Sequence, residues 1–275
     1  MTAIDWATFA AAMVLLGAAF FGHLHYSGSN ILRGAPERPN RFHEDAVALA
    51  AFTYLVAAAL LGWLARTVTG DAASVVGMLI AGGGAQLVGG GICLLIAADR
   101  FDGGVPRFFL GGSRVSAGAM LRVVIVVTVL AMGVCPLVLE ASLQLVHYFA
   151  PEQELPTHPT IAALRGGGQP FGVVLALWVS AAVLSPVAEE LFFRGLLQTV
   201  LVNTLRSRRL AVVIAAIVFA SVHFSQPQAI PALIVLAVLI GYAYERTGSL
   251  LVPVLIHALF NLKTLVWEAL GAFPT

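Results

Sequence analysis

The chain has 275 residues, 59% of them hydrophobic and 11% charged, with a net charge of +1 and a mean hydropathy of +0.92. A soluble domain carries roughly 25% charged residues, so this composition excludes an ordinary soluble enzyme, a disordered chain and a fibrous repeat, and the near-neutral balance gives no bulk attraction for nucleic acid. What remains is an all-α polytopic transmembrane helix bundle of about eight spans, each about 20 mostly apolar residues long, with lipid as the solvent for most of its surface.

The first apolar segment covers about residues 6–21. Asp5 precedes it and no basic residue does, the reverse of a secretory signal, so it is read as a retained helix. The second covers about 46–64 and the third about 74–98, the latter rich in glycine (Gly82, Gly83, Gly84, Gly89, Gly90, Gly91). Gly77 with Ala81, and Ala85 with Gly89, have the small-xxx-small spacing that lets helices approach closely in lipid. A phosphate loop is disfavoured, because Lys263 is the only lysine in the chain. Cys93 and Cys135 sit in apolar runs and offer neither metal spacing nor a disulfide framework.

The fourth segment covers about 117–139. A long polar connection is expected over 140–170, with His147, Pro151, Glu152, Glu154, Pro156, Pro159 and the glycines at 166–168. Further apolar segments follow at about 171–205, 210–224, 229–244 and 250–270, of which 210–224 is the shortest. The chain thus reads as one integral membrane domain, with four helices and the polar loop in 1–170 and a second part in 171–275. With eight spans, one face collects Arg33, Arg38, Arg41, Arg100, Arg107, Arg114, Arg206, Arg208, Arg209 and Arg246, and the opposite face Arg66 and Arg165. The positive-inside rule makes the first face cytoplasmic.

Three charges interrupt the segment at 171–205: Glu189, Glu190 and Arg194. Each costs roughly 2.5–3.5 kcal/mol at the centre of a spanning helix, so their presence needs a reason. Glu190 and Arg194 stand at i and i+4 with the acid first, the favoured ion-pair order, which predicts a structural pair. Glu189 lies about 100° around the helix and is left available. Pro186 removes a helix donor one turn earlier and can kink the segment. His223 closes the 210–224 segment, and His257 with Asn261 share a face of the last. At 1.5 Å per residue, His257, His223 and Glu189 lie roughly 12, 20 and 25 Å from the presumed cytoplasmic end, which allows one shared polar pocket. A single intramembrane histidine is as often mere interhelical glue. Glu189, His223, His257 and Asn261 together are a functional signal. His23, His25, His43, His147 and His158 fall at helix ends or in loops and read as solvated.

The ordered pattern of Glu189-Glu190 with Arg194, Phe219 with His223, and His257 with Asn261 resembles the CPBP family of CAAX proteases and bacteriocin-processing enzymes, also called Abi, whose hallmarks are EExxxR, FxxxH and HxxxN on successive helices. The flanking Phe193-Arg194-Gly195 and Thr247-Gly248-Ser249 are similar too, and the likeness covers about 171–265. The resemblance implies an intramembrane endopeptidase like the type II CAAX prenyl proteases, which in eukaryotes remove the last three residues after a prenylated cysteine. It implies Glu189 as the base that activates water, His223 positioning that water, His257 and Asn261 as donors to the oxyanion, and Glu190 and Arg194 as structural support. A rival mechanism makes Glu189, His223 and His257 ligands of a catalytic zinc with an open water position. The implied partners are a membrane-associated protein or peptide substrate, lipidated ones included, and the bilayer, in a bacterial inner membrane. Two other classes remain open. A proton-coupled transporter also uses intramembrane Glu and His, but no second copy of either motif marks repeated halves. A non-catalytic assembly or immunity factor would use the same scaffold.

Overall fold

The computed structural model describes residues 14, 32, 35–38, 40–71, 74–112, 115–152 and 155–269. The segment expected at 6–21, apart from Val14, lies outside them, together with Arg33, Arg114, Glu154, His23 and His25. The described residues are helical throughout, joined by short turns: α1 (Glu44–Thr69), α2 (Val75–Arg100), α3 (Gly104–Leu110), α4 (Ala117–Phe149), α5 (Pro159–Arg165), α6 (Phe171–Leu205), α7 (Arg208–Ser221), α8 (Ile230–Thr247) and α9 (Leu251–Ala269). The bundle is all-α, as composition required.

Local signals set the helix ends. Glu44 and Asp45 open α1 and Arg66 lies in its last turn, both matched to the helix dipole. Gly70, at φ 76°, closes α1 by donating its N–H to Arg66 O. Ser74, Ser116 and Ser207 cap α2, α4 and α7, each hydroxyl accepting a first-turn N–H. Among the described residues, five helical stretches are long and apolar enough to cross a membrane: Glu44–Thr69, Val75–Arg100, Ala117–Phe149, Phe171–Leu205 and Pro227–Thr247. The last apolar helix, Leu251–Trp267, is shorter by that measure, and α7 has only 14 residues. The fourth helix differs from expectation. It has 33 residues and carries Glu140 to Phe149, so the polar connection starts about ten residues later than the sequence suggested. Gln144 donates to Glu140 Oε1 at 3.1 Å one turn back, supporting the helix there.

The helices pack in two groups around α6 and α8. In one, Phe42, Ala97, Phe108, Leu191, Leu196, Tyr244 and Leu250 form a buried cluster; in the other, Val127, Ala131, Leu236, Ile240 and Ile256 join α4 to α8 and α9. Large apolar side chains such as Phe52, Leu55, Trp63, Leu87, Leu95 and Leu121 point outward, the arrangement a lipid solvent requires. Of the small residues singled out in α2, Gly89 does allow close approach, since a Cβ there would meet Tyr54 Cδ2 at 2.9 Å. A Cβ on Gly90 would meet Ala188 Cβ at 3.6 Å, so α2 lies close against the turn that carries the two glutamates. Gly195 is tighter still: a Cβ there would sit 2.5 Å from Phe108 Cζ, in the middle of the aromatic cluster of Phe42, Phe101 and Phe108. Replacing Gly195 by Ala is expected to cost about 1–3 kcal/mol, read as a lower melting temperature in detergent.

A second buried charge cluster ties the helix ends together. Glu245, with a fully buried side chain, accepts from Arg38 Nη2 at 2.6 Å, Arg208 Nη1 at 2.7 Å and Gln198 Nε2 at 2.8 Å. Arg38 also stacks on Tyr244, 4.2 Å from the ring centroid. The two arginines that the loop count put on one face therefore share one carboxylate. Glu245→Gln leaves two guanidinium groups without their counter-charge, one of them Arg38 in a buried position. The expected loss is about 3–5 kcal/mol, checked by thermal unfolding of the detergent-solubilised protein.

Candidate active site

The backbone of α6 is irregular where the charges lie. A short α-helical stretch, Ser185–Glu190, sits between two π-helical stretches, Ser180–Leu184 and Leu191–Gln198. Such wide turns often mark functional sites. Ser185 N–H reaches back five residues to Ser180 O. In that register the Ala181 carbonyl would next look to residue 186, which is proline and has no N–H. Asn261 of α9 fills the gap, donating Nδ2 to Ala181 O at 2.9 Å. The carbonyl freed by Pro186 is thus met from another helix, and one amide hydrogen of Asn261 is committed to it.

Below that turn lies a fully enclosed charge pair. Arg194 Nη1 donates to Glu190 Oε1 at 3.0 Å, with side-chain exposures of 1% and 0%. Arg194 Nη2 donates to Ala237 O at 3.2 Å, and its guanidinium lies 4.8 Å from the centroid of the Phe219 ring. The i, i+4 pair is where the spacing put it. The sequence did not show the third member: His257 Nδ1 bonds the same Glu190 Oε1 at 2.7 Å. A carboxylate paired with arginine accepts only, so Nδ1 carries the ring proton and Nε2 faces the site with its lone pair when the ring is neutral.

Glu189 is the more open of the two acids, its side chain 21% exposed. Its Oε1 accepts from the Ser185 hydroxyl, which in turn accepts from Gln86 Nε2 at 2.9 Å. Its Oε2 lies 4.0 Å from His257 Nε2. The site thus brings Glu189, Glu190, Arg194 and His257 together directly, and Asn261 through the backbone beneath them.

His223 reaches the site by way of an aromatic wall. Its Nδ1 donates to Phe219 O at 2.9 Å, which leaves Nε2 as the free nitrogen. The Phe219 ring centroid is 5.0 Å from that of His223 and 5.8 Å from that of His257, so one phenyl ring packs against both imidazoles.

His158 lies where the sequence put it, exposed at the end of a loop, as the N-cap residue of α5. The loop is anchored by Gln228 Nε2, which donates to Pro156 O at 2.9 Å, and α5 packs on α9. Thr160 N–H donates to His158 Nδ1 at 3.2 Å. The ring keeps an exposed edge, yet the protein crowded round the rest of it pushes its pKa down. His223 adds to that shift and Glu189 opposes it, which puts both within electrostatic reach. Neither Gln86 nor His158 belongs to a sequence motif. A polar residue in an apolar run was the one signal for Gln86.

The three groups suggested as zinc ligands do not form a ligand set in this arrangement. Among the described residues no three His, Cys, Asp or Glu side chains are grouped as a metal ion would need. Glu189 and His257 approach only to 4.0 Å.

Apolar helices of spanning length around buried Glu, Arg and His define a polytopic, α-helical integral membrane protein with a buried polar site. Residues 171–263 match the profile of the Rce1-like family, described as type II CAAX prenyl endopeptidase Rce1-like. The segment holds every site residue named here except Gln86 and His158. Comparison with curated proteins and with solved structures found no match.

Proposed function

We propose that the protein is an intramembrane endopeptidase that hydrolyses a peptide bond of a membrane-associated protein or peptide, prenylated ones included, with Glu189 as the base. The observation that carries this reading is the 4.0 Å gap between Glu189 Oε2 and His257 Nε2. It is too wide for a hydrogen bond between them. One water held by both at about 2.8 Å would span it with an angle of about 90° at its oxygen. Both groups accept, so such a water points its two hydrogens at the protein and its lone pairs outward, towards a carbonyl carbon.

The chemistry then follows. The water oxygen bonds to the carbonyl carbon, the C=O pair moves onto oxygen, and Glu189 takes one water proton. When the C–N bond breaks, that proton passes to the leaving nitrogen. Glu190 keeps His257 in one tautomer, the part a buried acid plays behind a catalytic histidine. His223, beside Phe219, serves the developing oxyanion. Asn261 is a positioning residue, since it holds the Ala181 carbonyl and with it the turn that carries Glu189.

The test uses the full-length protein in lipid nanodiscs and a farnesylated fluorogenic peptide ending in the Cys-aliphatic-aliphatic-X pattern. Wild type should cleave it and Glu189→Ala should not. Equal cleavage by both, or by neither, refutes the reading. Proton flux in proteoliposomes that is lost in Glu189→Ala would move the case to a transporter. Turnover is expected to survive dialysis against a chelator, because the candidate ligands are not grouped. Loss on chelation with recovery on adding zinc would reverse that. The arginine-rich face is assigned to the cytoplasm of a bacterial inner membrane. Labelling of a cysteine placed beside Arg206 from outside intact cells would overturn the orientation.

A further inference from the structure

We propose that Gln86 and Ser185 form a donor relay that orients the Glu189 carboxylate, so that the N-terminal helices, outside the family match, take part in the site. The inference rests on the proposed role of Glu189 and adds two positioning residues to it.

A serine inside a helix ordinarily gives its hydroxyl proton to the carbonyl four residues back. For Ser185 that carbonyl is Ala181 O, and it is already met by Asn261 Nδ2 at 2.9 Å. The Ser185 proton goes forward instead, to Glu189 Oε1. A hydroxyl has one proton, so what meets its lone pair from the other side has to be a donor. Gln86 Nε2 supplies it at 2.9 Å, from a residue 99 positions earlier. The opposite orientation of the amide would put a carbonyl on Ser185 Oγ and draw the proton away from Glu189. The orientation present leaves Gln86 Oε1 buried without a partner. Unmet buried acceptors are rare and collect at functional sites, and this one accompanies the only amide direction that keeps the hydroxyl on Glu189.

The contact depends on close helix approach. Gly90, one turn beyond Gln86 on the same face of α2, lies against Ala188. With Oε1 held by Ser185, Oε2 is the oxygen turned towards His257 Nε2. Without the relay the carboxyl can rotate, and both oxygens leave the position the reaction needs.

The experiment compares wild type with Ser185→Ala, Gln86→Leu, the double variant and Ser185→Thr, all full length in nanodiscs. With the farnesylated peptide, Ser185→Ala and Gln86→Leu should each lower kcat about 10-fold with KM unchanged. The double variant should be no worse than the poorer single one, because both act through one group. Ser185→Thr, which keeps the hydroxyl, should restore turnover. A second readout needs no substrate: the rate at which a hydrophobic carbodiimide labels Glu189, located by fragment mass spectrometry. Labelling should quicken several-fold in Ser185→Ala and Gln86→Leu at an unchanged melting temperature, since Oε1 is released, and return towards wild type in Ser185→Thr. Unchanged labelling in both single variants overturns the relay. If wild type cleaves nothing, the protease reading fails by itself and the labelling still decides the relay.

Discussion

Replacing Glu189 by Gln is expected to lower turnover by about 100-fold or more while leaving the melting temperature close to that of wild type. The change keeps the size and shape of the side chain. Glutamine can still accept from Ser185 through its carbonyl, so the bond to the hydroxyl survives. It cannot take a proton from water, and its amide would point a donor at His257 Nε2 where the carboxylate offered an acceptor. The carboxyl is 21% exposed and has no arginine partner among the described residues, so little folding energy is lost with its charge. Turnover on the farnesylated peptide and unfolding in detergent measure the two halves of this expectation. A variant that remains active would remove Glu189 from the chemistry.

Replacing Glu190 by Gln should do the reverse in order: stability falls first and activity with it. Glu190 is fully enclosed and holds Arg194 at 3.0 Å and His257 at 2.7 Å. Taking its charge away leaves a buried guanidinium uncompensated, which costs about 3–5 kcal/mol. The double change Glu190→Gln with Arg194→Gln should recover part of that loss, because no unpaired charge remains. Turnover should not recover, since His257 has still lost the carboxylate that fixes its tautomer. Melting temperatures and kcat for the three forms separate these effects. If Glu190→Gln abolishes turnover at unchanged stability while Glu189→Gln stays active, the two acids hold each other's roles.

The two glutamates show how far local spacing reaches. Their different surroundings follow from helix geometry, because neighbours about 100° apart cannot both face Arg194. The His257 bond to Glu190 follows from no local rule. The same holds for Asn261, whose place in the sequence pattern suggested a free donor. In the fold it repairs a carbonyl that Pro186 and the wide turn before it left open. His158 was legible: a histidine beside a proline, in a stretch rich in prolines and glycines, has the local character of a solvated loop residue, and it is exposed at the start of α5.

By itself the sequence determined the solvent, the class of fold and the kind of site. Apolar runs of lipid-spanning length admit one backbone solution, the helix, because each N–H and C=O needs a partner within its own segment. Charges inside such runs are too costly to keep without use, so Glu189, Glu190, Arg194, His223, His257 and Asn261 were legible as a set. Beyond the Glu190–Arg194 pair, the tertiary structure alone decided which of them touch. Glu190 and His257 are 67 residues apart, Ala181 and Asn261 are 80, and Gln86 and Ser185 are 99. Contacts at that range depend on how each helix is rotated and how closely it packs. Those are set by Gly90 lying on Ala188, by Gly195 lying on Phe108 and by the π-helical turns of α6, and no periodicity along one helix encodes its rotation against another.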